Sequence, residues 1–252
     1  TFCINDDCTT LALGSFGTEE FCVNLDIENP ITCGGGNWQS EVFWMLSNSY
    51  GTTLATGGAP FEGCVGGSCE NEIVEFFEFD DGGELREYYL YIPSSIQDNA
   101  PLVFVLHGYG GNANNMLNLG WEEIAENNGV VICYPNGTTD FLGTTHWNSN
   151  LYTGDIQGIP EGVDDHDFLV SLSNHIQSTH QISSECVFCC GFSNGGFMSL
   201  SLACQESEHF KAVGSVGGLM SDYDYNYCNP SQSTPIIQLH GTSDATVFVT
   251  GA

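Results

Sequence analysis

The sequence predicts an α/β protein built on a doubly wound, mostly parallel sheet and preceded by a small cysteine-rich β module. Three observations predict it. Apolar runs such as "PLVFVLHG" and "VVICYPNG" alternate with helix-period segments from about residue 73 onward, the grammar of strands joined by crossover helices. Six of the 12 cysteines lie in the first 69 residues, a density typical of a disulfide-stapled secreted module. Between strand "CVFCC" and a helix-like stretch stands "GFSNGG", a glycine-rich junction far tighter than an ordinary loop.

Composition sets outer limits. The 252 residues suffice for one large domain, or for one domain plus a module. Two basic residues stand against 32 acidic ones, for a net charge of −30. Such a surface repels phosphate backbones and anionic lipid, which argues against nucleic-acid partners. No apolar stretch approaches the length needed to span a bilayer, so membrane insertion is not expected. The chain starts at Thr1 without a leader-like apolar segment, and is read as a processed, extracellular product.

Residues 1–72 form the expected accessory module. Within "SEVFWMLSNSYGTTLATGG", Val42, Trp44 and Leu46 alternate with Glu41, Phe43 and Met45 before the turn-like "NSYG", the pattern of a hairpin. Cys64 and Cys69 are spaced for a short loop closure. Residues 73–252 form the expected second domain. It opens with two strands around "DDGG". Buried strand "PLVFVLHG" follows, then a helix with Leu117, Trp121 and Ile124 on one face, ending near Gly129. After "VVICYPNG", Asp164 and Asp165 open a second helix whose Phe168, Leu172 and Ile176 share a face, their carboxylates suiting its N-terminal dipole. Strand "CVFCC", helix "GFMSLSLACQ" and strands "KAVGSV" and "PIIQLHG" complete the series.

"GFSNG" fits G-x-S-x-G with Ser193 at its centre. A strand before it and a helix after it are the setting of a nucleophile elbow, where a strained turn exposes the serine hydroxyl. Gly191 and Gly195 then stand where strand and helix crowd and a Cβ would clash. A serine also needs a base and an oxyanion hole. The backbone N–H of Asn194 is one expected donor. The other comes from "HGYGG", with Tyr109 preferred and Gly110 second. Triad order in such a fold is serine, acid, histidine. Asp244, after strand "PIIQLHG", is the expected acid, ahead of Asp222 and Asp224.

All seven histidines precede Asp244. His107 and His240 read as loop residues, His146 and His166 as border residues of a pocket, and His175, His180 and His209 as surface. None has the required order, so the base is expected beyond Ala252, along with a last strand and helix. Cys186 and Cys189 form a C-x-x-C, but residues three apart in a strand face opposite ways, and buried thiols are expected. "DDHD" at 164–167 reads as a helix start and not as a metal cluster, and no metal or cofactor is expected. Asn136-Gly137-Thr138 fits the glycosylation pattern.

The stretches "LREYYLYIP", "PLVFVLHGYGGNA", "YPNG", "GFSNGGFMSLSLAC", "FKAVGSVGG" and "PIIQLHGTSD" occur in the order seen in the polyhydroxybutyrate depolymerase and feruloyl esterase group. The sequence resembles those secreted α/β-hydrolase carboxylesterases over about residues 85–248. The resemblance implies Ser193 as nucleophile, Asp244 as acid, and a histidine in a later loop. It also implies a Cys204–Cys228 disulfide. Trp147 resembles a tryptophan near the family's acyl pocket, and equally fits an ordinary buried aromatic. The implied substrates are carboxylic esters of polyhydroxybutyrate, feruloyl or acetyl-xylan type, including polymeric polyester or plant cell-wall polysaccharide. The alternative is a secreted binding or adhesion protein with an inactive hydrolase-like domain.

Overall fold

The computed structural model describes residues 1–10, 17–35, 42–67, 74–94, 96–117, 119–140, 142–150, 163–180 and 182–249. Two units separate by their internal packing. One comprises residues 1–75 with 117–120, the other residues 76–116 and 121–252.

In the first unit, β1 (Phe2–Ile4), β2 (Asp7–Thr9), β3 (Asn29–Cys33) and β6 (Phe61–Val65) form an antiparallel sheet in the order β2-β1-β3-β6. β4 (Trp44–Ser47) and β5 (Thr53–Gly57) form the hairpin expected from the Trp44/Leu46 alternation. Ile4, Ile31, Ala55 and Val65 make its small core. Trp44 bridges the rings of Phe2 and Phe61, each 4.8 Å away. So few apolar side chains hold a fold weakly, and a Cys3–Cys8 disulfide closes the β1–β2 turn. Cys64 is also disulfide-bonded; its expected partner Cys69 lies outside the described residues. Cys22 and Cys33 are free thiols, so stapling is less complete than the cysteine density implies.

The second unit carries a seven-stranded sheet in the order β15-β14-β13-β9-β10-β8-β7. Its members are β7 (Val74–Asp81), β8 (Glu84–Tyr91), β9 (Leu102–Leu106), β10 (Val131–Pro135), β13 (Val187–Phe192), β14 (Phe210–Val216) and β15 (Ile236–Leu239). A small ribbon of β11 (Thr138–Thr139) and β12 (Thr145–His146) stands apart. From β9 to β15 neighbouring strands run parallel, while β8 meets β10 antiparallel. The helices are α1 (Trp121–Asn128), α2 (Asp165–His180), α3 (Asn194–Gln205) and α4 (Asp222–Tyr227).

Leu102, Phe104 and Leu106 of β9 are fully buried with Val187 and Cys189 of β13, and with Phe168, Leu172 and Ile176 of α2. The predicted α2 face is therefore the core face. α1 differs from expectation. It starts at Trp121, leaving Leu117 outside, and its buried residue is Ala125 while Ile124 is exposed. Gly120, directly before the helix, is left-handed, a conformation that helical backbone does not continue through.

The order of β9 and β13 positions the site. The chain leaves β9 toward β10 on one side, and leaves β13 toward β14 on the other. Connections diverging from adjacent parallel strands open a crevice at their C-terminal ends. Residues 107–111 and Ser193 leave from those two ends.

Candidate active site

Ser193 sits between β13 and α3 with φ 52° and ψ −116°, a backbone region that non-glycine residues rarely occupy. Two backbone hydrogen bonds hold it there: its N–H donates to Val216 O at 2.7 Å, and its carbonyl accepts Phe197 N–H at 3.0 Å. A Cβ on Gly191 would run into the Gly195 carbonyl, and one on Gly195 would lie 2.5 Å from Leu106 O and 2.6 Å from His107 O. Both glycines are required by backbone against backbone, where neither side can yield.

The 107–111 loop lies directly against this turn. The Cβ position of Gly108 falls 3.4 Å from Ser193 Cβ. Of the two donors weighed from sequence, Gly110 is engaged: its N–H donates to Thr145 O at 2.8 Å. Tyr109 donates its phenol to Asp140 Oδ2 at 2.7 Å. Asp140 Oδ1 accepts the N–H groups of Leu142 and Thr144, and these bonds hold its carboxyl below the usual carboxylate range. Thr145 Oγ1 also donates to Gly111 O. The β11–β12 ribbon thus braces the loop beside Ser193.

Behind the loop is His107, fully buried. Its Nδ1 lies 2.8 Å from Gly108 O and its Nε2 accepts Gly137 N–H at 2.9 Å. That pair of bonds needs the neutral ring with its proton on Nδ1, and burial holds its pKa low. Trp147 is 1% exposed; its indole N–H donates to His107 O at 3.0 Å. Its backbone N–H donates to Asn194 Oδ1 at 2.6 Å, and Asn194 Nδ2 returns a bond to Trp147 O. The Asn194 side chain therefore faces inward, while its backbone N–H belongs to the first turn of α3, where helical partners are lacking.

Asp244 follows β15. Its Oδ1 accepts N–H groups from Thr246 and Val247 at 2.9 Å, which holds its carboxyl below the usual range. Its Oδ2 lies 3.8 Å from the Cβ position of Gly217, at the end of β14, which also lies 3.7 Å from the Phe192 ring. The carboxylate is thus beside the Ser193 turn. Asp224, in contrast, is a buried residue of α4 that accepts hydrogen bonds from the Ser221 hydroxyl and the Gln205 amide. Asp222 opens α4.

Among the described residues no histidine is hydrogen-bonded to Ser193. His240 Nε2 lies 2.7 Å from Val247 O and 3.6 Å from Asp244 Oδ2. His166, expected at a pocket border, instead packs behind α3 with Nε2 2.8 Å from Ser201 Oγ. His146 is buried beside the Tyr109 ring at 6.5 Å. His209, expected at the surface, is half-buried with Nε2 2.9 Å from Ser173 Oγ. The rings of His175 and His180 pack against Phe79 and Phe77.

Sequence reading missed one supporting group. Arg86, one of only two basic residues, is buried. It donates to Asp165 Oδ1 at 2.8 Å and to Asn136 O at 3.2 Å, with its guanidinium 3.7 Å from the Phe168 ring centre. Asp165 Oδ2 accepts Asn148 N–H, next to Trp147. Asp165 is therefore a partner for a buried cation, and Asp164 alone caps α2 by accepting His166 and Asp167 N–H. A lone arginine in a chain with one other basic residue was the available signal.

Residues 88–250 match the profile of the phospholipase/carboxylesterase family. The chain belongs to that family. The bifunctional acetylxylan esterase/xylanase XynS20E of Neocallimastix patriciarum is 28% identical over 64% of this chain and 22% of its own length. A probable feruloyl esterase C of Aspergillus clavatus is 30% identical over 66% and 57%. The chain thus spans about a fifth to just over half of the curated relatives named here. Among solved structures, the acetyl xylan esterase of Aspergillus awamori superposes with a TM-score of 0.54 at 18% identity, covering 70% of this chain and 76% of that one. The shared α/β-hydrolase fold explains why the Ser193 turn, the 107–111 loop and Asp244 lie at the C-terminal ends of neighbouring parallel strands.

Proposed function

We propose that this family member is a secreted serine carboxylesterase that cleaves acetyl or feruloyl esters attached to plant cell-wall polysaccharide. The observation that carries the reading is Ser193, held at a strained strand–helix turn with the 107–111 loop packed against it. The Ser193 oxygen attacks the ester carbonyl carbon as a base takes its proton. The carbonyl electrons move onto oxygen, and the backbone N–H groups of Asn194 and Tyr109 receive the resulting negative charge. The alcohol leaves with a proton, and water then releases the acid from the acyl-serine. Asp244 orients the base, a histidine in the reading that the resemblance implies. Trp147, buried behind His107, contributes to the acyl pocket as the wall that fixes the loop.

Support for the substrate class comes from the relatives' names. Support for secretion comes from the Cys3–Cys8 and Cys204–Cys228 disulfides. Among the described residues no helix is long and apolar enough to cross a membrane.

The test is turnover of p-nitrophenyl acetate and methyl ferulate, with fluorophosphonate labelling, by the protein and by its Ser193→Ala variant. Ser193→Ala is expected to abolish labelling and lower turnover by about 10³-fold or more. Labelling that survives Ser193→Ala would overturn the assignment.

A further inference from the structure

A second cleft lies at the other end of α3. Its cavity of about 440 Å³ is lined by residues that include Gln205, Glu206, Tyr223, Tyr227, Asn229 and Ser231. That volume is ordinary for a small-molecule site. The helix α3 is 12 residues long, from Asn194 to Gln205, which sets the cleft about 18 Å from Ser193 along its axis. We infer that this cleft is a binding site for a neutral oligosaccharide, separate from the Ser193 centre.

Its walls are fixed before any ligand arrives. The Cys204–Cys228 disulfide joins the end of α3 to the end of α4 with Cα atoms 5.5 Å apart. The Gln205 amide donates to buried Asp224 at 2.9 Å, Ser207 and Ser231 hydroxyls lie 3.1 Å apart, and Gln232 donates to Ser207 O at 2.5 Å. Preorganised walls lower the ordering cost of binding.

Tyr223 and Tyr227 are one helical turn apart on α4, with ring centres 5.0 Å apart. Tyr227 is 72% exposed, although a solvent-facing phenyl surface of that size gains nothing by itself. Aromatic faces suit the C–H faces of sugar rings, and the side chains of Glu206, Glu208 and Asn229, which are not spent on the bonds that fix the walls, suit sugar hydroxyls. Charge selects further. The lining contains Glu206, Glu208 and Asp224 with no lysine or arginine, which excludes an anionic ligand. A simple cation would satisfy the acids and the rings but make no use of the exposed Asn229 amide N–H groups, whereas sugar hydroxyl groups both give and accept. Glu206 is half-buried, and desolvation raises its pKa, in keeping with a group that hydrogen-bonds a neutral ligand.

The inference stands apart from the esterase reading and is tested by binding alone. The full chain is titrated with xylotetraose, and separately with spermidine, by calorimetry, in wild type and in Ser193→Ala. Saturable xylotetraose binding is expected, equal in both. Tyr227→Ala should weaken it tenfold or more at unchanged Tm, and Asn229→Ala, which leaves the ring pair in place, should weaken it less. Absence of saturable sugar binding, affinity indifferent to both substitutions, or binding of spermidine in place of the sugar would each overturn it.

Discussion

The two ends of α3 are finished in opposite ways. At the N-terminal end stands Ser193, a residue type that ordinarily caps helices through its side chain, yet here it makes no such bond. Its backbone, at φ 52°, is not the extended conformation of an ordinary N-cap. At the C-terminal end the Glu206 N–H closes on Leu202 O and the next turn is tied to α4 by Cys204–Cys228. One end leaves its polar groups unspent and is held by backbone crowding; the other is covalently pinned. The difference teaches that conformational strain at an elbow is retained where open N–H donors are useful, and that its cost is offset by packing on either side.

Breaking the crowded end should have the larger effect. In Gly195→Ala the new Cβ meets two backbone carbonyls. Displacing the 107–111 loop by a fraction of an ångström should lower ester turnover by about 10²-fold and stability by about 1–3 kcal/mol, read by urea denaturation beside the activity assay.

Removing the pinned end should separate stability from chemistry. The Cys204–Cys228 link closes a 24-residue separation, for which the chain-entropy argument gives about 3 kcal/mol. The Cys204→Ser/Cys228→Ser double variant should lose roughly that much in urea while keeping small-ester turnover within about twofold of wild type. A large drop in turnover at preserved stability would show that the two ends communicate along the helix.

Acid should act more gently, and from the crowded side. Burial holds His107 and His166 below the ordinary histidine value of 6.5. The unfolded chain therefore takes up these protons first, and the stability from the neutral rings is complete above about pH 6.5 and declines as pH falls toward the folded values. Tm should drop between pH 7 and 5. His166→Gln should flatten part of that slope, because Gln can still hydrogen-bond Ser201 and carries no proton to gain.

How much of this was legible beforehand depended on the range of the forces involved. Buried strands β9, β10 and β13 were readable as unbroken apolar runs, and the α2 core face from its Phe168/Leu172/Ile176 spacing. α1 misled, because Ile124 is apolar yet exposed and the core contact falls on the smaller Ala125. The Cys204–Cys228 pairing was readable only through resemblance, and its geometry is present.

Sequence by itself determined where the strand–helix turn at Ser193 falls, because the strand, the G-x-S-x-G spacing and the following helix are local signals, and Gly191 is demanded by Gly195 only four residues on; the crowding that demands Gly195 comes from Leu106 and His107 on a distant strand end. Tertiary structure alone decided that Gly110 spends its N–H on Thr145, that Trp147 is clamped by the Asn194 side chain, that His166 faces Ser201, and that Arg86 joins Asp165. Those partners lie 35 to 79 residues apart along the chain. Which loops meet is set by the order of strands in the sheet, and a hydrogen bond has no period or local spacing by which a sequence could announce its distant partner.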